Sequence, residues 1–102
     1  MIIRLANDAK PQLDEADDCK KFHVEAVAGS AAALADNLGA AGSSDGAGED
    51  HVWIDIAWVR AAASGRVATG WASEFDGMIG YAASKGWLNE AKSAIRAHVE
   101  WR

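Results

Sequence analysis

Apolar and polar residues alternate at Phe22-His23-Val24-Glu25-Ala26. They alternate again through residues 51–60, where Val52, Ile54, Ile56 and Trp58 fall on one side and His51, Trp53, Asp55 and Ala57 on the other. A period of two marks a strand with one buried face, so both segments are read as strands. Ile2 to Leu5 is a shorter strand candidate. Between the two main strands the rhythm becomes helical: Ala31, Leu34, Ala35 and Leu38 form one stripe, Ser30 stands where an N-cap belongs and Gly39 where a left-handed stop belongs. Gly29 is read as ending the first strand. The order strand, helix, loop, strand predicts a β-α-β crossover, with the two strands parallel and the connection right-handed.

Other segments carry weaker patterns. Pro11 suits a first helical position, and acids at 14, 15, 17 and 18 followed by Lys20 and Lys21 match the charge preference of helix ends, so residues 12–21 are read as a helix. Residues 42–50, rich in Gly, Ser and acids, have nothing to bury and are read as a mobile loop. Gly70-Trp71-Ala72-Ser73-Glu74 and Gly86-Trp87-Leu88-Asn89-Glu90 resemble each other, and each reads as a helix start capped by Ser73 or Asn89. Together they predict a C-terminal αα-hairpin, with Gly86 stopping its first helix. On that helix Phe75, Met78, Ile79, Ala82 and Ala83 share a face. Gly77, Gly80 and Ser84 share another that is nearly bare, which predicts close approach of a neighbouring element. On the last helix, with Ile95, His98 and Trp101 among its apolar-side residues, a step of about 100° per residue spreads that side over about 200°, wider than one core requires. The helix is therefore expected to pack on two sides.

The expected architecture is thus a small α+β domain in a single unit spanning 1–102. It has a two- or three-stranded sheet, a β-α-β crossover and a C-terminal αα-hairpin packed on one face. A net charge of −5 argues against a nucleic-acid partner, which needs clustered Lys and Arg. No apolar run is long enough to span a bilayer and no signal-peptide pattern opens the chain, so no membrane partner and a cytoplasmic location are expected. The single Cys19 follows Asp17 and Asp18, whose charges disfavour a thiolate, and it is expected to be unreactive. No zinc spacing, EF-hand, phosphate loop or nucleophile elbow is present, so no metal, cofactor or catalytic residue is specified.

Two features point to binding. All five tryptophans lie in the C-terminal half, more indole than a small core needs. The sheet face turned away from the helices would carry His23, Glu25 and Val27 on one strand and His51, Trp53 and Asp55 on the next. Same-face residues about 6.8 Å apart on strands about 4.8 Å apart could bring imidazoles and a carboxylate together. The expected function is a non-enzymatic interaction or accessory module, a homodimer or one docked on a protein partner. Its surface would be Trp53, His51, Asp55, His23, Glu25 and Val27, with Trp101 and His98 on the last helix. A small metal- or ligand-binding domain or enzyme using the His/Glu/Asp face is the alternative. Carbohydrate stacking on exposed indoles is a third reading.

Overall fold

The computed structural model describes residues 1–6, 10–27, 31–44, 47 and 50–101. The chain is α+β. Among the described residues its six strands are β1 (Ile2–Leu5), β2 (Gln12–Asp14), β3 (His23–Ala26), β4 (Gly42–Ser43), β5 (His51–Asp55) and β6 (Ala94–Trp101). They form one mixed sheet in the order β2-β1-β3-β6-β5-β4, curled into a half-barrel. Among the described residues there are also three α-helices, α1 (Ala31–Leu38), α2 (Ile56–Ala63) and α3 (Trp71–Ser84), and a 3-10 turn at Gly39–Ala41.

This corrects the expected small sheet, crossover and αα-hairpin. β3 and β5 are not neighbours, because β6 lies between them, parallel to β3 and antiparallel to β5. The last segment is a strand, and its inward residues are Ile95, Ala97 and Val99. Asn89 does not cap a helix: its side-chain oxygen accepts from Ser93 N at 2.8 Å and Ala94 N at 3.1 Å, closing a turn that returns the chain as β6. Lys92, with φ 56°, completes the reversal.

Residues 12–21 are not helical either. Leu13 of β2 pairs with Ile3, and Glu15 takes a positive φ of 51°, which ends the strand in a turn. In the segment 51–60 the strand stops at Asp55, whose carboxylate accepts from Ala57 N and Trp58 N and so starts α2. Ile56 and Trp58 are consequently helical residues packed against the core rather than strand residues. Helix α1 has the expected bounds, with Leu34 and Leu38 buried and Ala35 exposed; Gly29 and Ser30 lie outside the described residues. Of residues 42–50, Gly42 and Ser43 pair with β5 and Ala47 is buried; residues 45, 46, 48 and 49 lie outside the described set.

The core occupies the inner face of the sheet. Ile3, Leu5, Leu13, Val24, Val52 and Ile54 meet Leu38, Val59 and Phe75 there. Helix α1 lies against β1 and β4, and α2 against β2 and β5. Helix α3 starts from Gly70 rather than Ser73. Its first residue, Trp71, stacks on Phe75 with ring centroids 4.8 Å apart and donates Nε1–H to Ala16 O at 2.6 Å.

The helix ends at Gly86 (φ 76°) as expected. Gly86 N donates to Ala83 O and Trp87 N to Ala82 O, which satisfies its last carbonyls and places the Trp87 ring edge-on to Tyr81. Trp87 O then accepts from Arg96 N at 2.7 Å, and Leu88 bridges to Ile95 on the side of β6 away from β5.

Two glycine variants, one double and one single, test this packing. Gly77 and Gly80 are exposed and an added Cβ meets nothing within 4 Å, contrary to the close approach expected from the sequence. Gly77→Ala with Gly80→Ala is therefore expected to raise the melting temperature by roughly 4–10 °C, from about 0.5–1 kcal/mol of helix propensity at each site. A lowered melting temperature in calorimetry would show instead that something rests on that backbone. Gly42 is the opposite case: a Cβ there would lie 1.9 Å from Trp53 O, a backbone atom that cannot rotate away. Gly42→Ala should detach β4 from β5 at a cost of about 1–3 kcal/mol. Amide exchange at Trp53 and Ile54 should accelerate, and unchanged exchange would contradict this packing.

Candidate functional site

Strand alternation turns one residue in two toward the outer face of the sheet. Arg4 of β1, His23 and Glu25 of β3, Arg96, His98 and Glu100 of β6, and His51, Trp53 and Asp55 of β5 all face that way. Their strand neighbours Ile3, Val24, Val99 and Val52 face the core. The register pairs Glu25 with Glu100 and His51 with His98, and one step along it sets His23 beside His98. All three histidines of the chain therefore stand in one row across β3, β6 and β5.

At one end of this row is a compact polar cluster. His23 Nε2 lies 3.1 Å from Glu25 Oε2 and 3.3 Å from Glu100 Oε2, and donor atoms of the three residues all lie within 4.8 Å of one another. The His23 and Glu25 side chains are mostly buried, at 19% and 11% exposure, whereas that of Glu100 is 44% exposed. Glu25 Oε1 accepts from Arg4 Nη1, and Arg4 Nε is held by Asp14. The hydrogen bond to Asp14, reinforced by the charge of Glu25, holds the Arg4 guanidinium above its ordinary pKa. The two oxygens of Glu25 are thereby divided, one toward Arg4 and one toward His23.

At the other end His51 and His98 meet edge to face, with ring centroids 5.3 Å apart. They border a groove of about 600 Å³ whose wall includes Cys19. Burial pushes the Cys19 thiol up and Glu74 adds to the effect, so the thiolate is scarce near neutral pH. The sequence argued the same outcome from Asp17 and Asp18, which here act behind burial and Glu74.

The structure thus brings His23 and Glu25 together and pairs His51 with His98, but separates the two pairs by strand. Asp55 is occupied in capping α2. Trp53 lies with Asp55 at a broad shallow hollow of about 960 Å³ beside β4. His98 is an exposed strand residue, not a member of a helical apolar arc. Trp101 is 41% exposed and donates Nε1–H to Asp50 at 3.1 Å, and Val27, 53% exposed, follows the end of β3. The sequence reading missed Glu100 and Arg4. Glu100 was legible, since Ile95, Ala97 and Val99 alternate with Arg96, His98 and Glu100; Arg4 needed the β1–β3 register, which no local pattern reveals.

Comparison with protein-family models, curated proteins and solved structures finds no match to this chain. Among the described residues no helix is long and apolar enough to cross a membrane.

Proposed function

We propose that the chain is a small binding domain that holds a divalent first-row transition-metal ion on its outer sheet face, with His23, Glu25 and Glu100 as ligands. The observation that carries this reading is the convergence of one imidazole nitrogen and two carboxylates within 4.8 Å. Donors bonded to one tetrahedral ion at ~2.1 Å sit ~3.4 Å apart, close to the 3.1 Å and 3.3 Å separations from His23 Nε2. Arg4 holds the second oxygen of Glu25, as outer partners of metal-binding carboxylates do. Its positive charge also opposes a cation, so the affinity expected is moderate, in the micromolar range. One nitrogen and two oxygens suit zinc or manganese better than copper(I), which prefers sulfur.

The test is equilibrium dialysis of the protein against ZnCl2 or MnCl2 at micromolar concentration, followed by elemental analysis. About one ion per chain is expected; none retained would dispose of the site.

The interaction reading keeps a separate observation. Ala26 pairs with Trp101, so the exposed Trp101 closes β6 beside the end of β3, in the opposite phase of the alternation to the exposed Val27. It has lost the two-sided last helix, and Trp71 belongs to the core. If a homodimer forms through Trp101, Trp101→Ala should shift sedimentation to the monomer while leaving far-UV circular dichroism unchanged.

A further inference from the structure

Strand β6 changes partners along its β3 side. Leu88 bridges to Ile95 at its start, and β3 pairs with it only from Val99 onward. Opposite Ala97, among the described residues, no strand fills that side, and the 600 Å³ groove borders it, between the segment leading into β3 and helix α3. Its volume falls in the range of small-molecule sites, about 300–1,000 Å³.

The lining has two chemistries. Phe22, Tyr81 and Trp87 supply aromatic walls over Met78 and Ile95. Tyr81 and Trp87 are among the most exposed large apolar residues, at 58% and 41%, yet their edge-on contact, with centroids 5.8 Å apart, is fixed by the helix stop at Gly86. Lys20, Lys21 and Arg96 supply positive charge, and among the described residues none that lines the groove is Asp or Glu. In a chain with 15 acids against 10 Lys and Arg, that is a reversal of the overall balance. Arg96 is anchored by donating Nε–H to Ala47 O at 2.6 Å, and Lys21 makes an exposed 3.8 Å contact with Glu15.

We propose that this groove binds a small aromatic anion, with its flat body between Phe22 and the Tyr81–Trp87 pair and its carboxylate or sulfonate toward Lys20, Lys21 and Arg96. Aromatic walls alone accept any apolar body, whereas the cations select charge. The site is separate from the metal ligands, so it is tested on EDTA-treated protein.

The probes are 8-anilinonaphthalene-1-sulfonate, its uncharged analogue N-phenyl-1-naphthylamine, and 2-naphthoate as competitor. Saturable sulfonate binding displaced by 2-naphthoate is expected. The double variant Lys20→Gln/Lys21→Gln, in exposed side chains, should weaken sulfonate binding about five-fold and leave the uncharged probe unchanged. In an NMR titration with 2-naphthoate, the Trp87 indole N–H should shift most among the five indoles, with its resonance assigned through Trp87→Phe. Absence of saturable binding, an equal effect of the lysine variant on both probes, or shifts centred on Trp53 or Trp101 would each overturn the proposal.

Discussion

Phe75→Ala should leave the protein largely unfolded at moderate denaturant. Phe75 is wholly buried, the largest such side chain in the core. Trp71 stacks on one side of its ring at 4.8 Å, and the Arg60 guanidinium lies 4.8 Å from its centroid, itself held by Asp76 at 2.6 Å. Truncation removes the ring's transfer energy and leaves a cavity that a stacked indole cannot fill without giving up its hydrogen bond to Ala16. Such changes cost about 3–5 kcal/mol, against a total of about 5–15 kcal/mol for a domain of this class. The urea midpoint should therefore fall by roughly 2 M or more, with loss of near-UV circular dichroism from Trp71. Phe75→Leu, which keeps most of the volume, should lose less than half as much. A midpoint within about 0.5 M of wild type for Phe75→Ala would mean that α3 does not close the core.

The role of Phe75 was legible, because its helix has an apolar face and a glycine stop. So were the strand faces of 23–26 and 51–55 and the bounds of α1, where the local pattern and the tertiary outcome agree. What failed was the last segment. Ala94 to Trp101 has alanines at helical spacing and also a strict two-residue alternation, and composition alone does not decide between them. The decision comes from Asn89: four residues before Ser93, its side chain closes a turn, and a turn after a helix stop sends the chain back as a strand. One wrong element then removed the strand that separates β3 from β5, and the supposed crossover followed from its absence.

The error carried into the site in a specific way. Sorting residues by face put His23, Glu25, His51 and Asp55 on the correct outer side, since period two survives any strand order. Which of them touch depends on register and order, and those are set by long-range pairing. With β6 inserted, the carboxylate that joins His23 and Glu25 is Glu100, and Asp55 is left to its local work of starting α2. A residue's face is a property of its own segment; its neighbours are a property of the whole sheet.

That distinction yields the second large effect. His23→Ala should reduce zinc affinity at least about 100-fold, because it removes the one nitrogen ligand and the atom to which both carboxylates converge. Glu100→Gln, in a side chain 44% exposed, should keep the fold and still lose roughly 10–100-fold. Asp55→Ala should do the reverse: zinc binding intact, and stability lower by about 1 kcal/mol through loss of the cap on α2. Titration calorimetry and urea unfolding on the same three variants separate the two kinds of loss. If Glu100→Gln binds zinc as wild type does while Asp55→Ala does not, the ligand set is the one drawn from the sequence and the cluster at β3–β6 is only an ion-pair network. If the three variants bind alike, zinc is held elsewhere. In the expected pattern the histidine and Glu100 act together and Asp55 stands apart, which is what insertion of β6 between β3 and β5 requires.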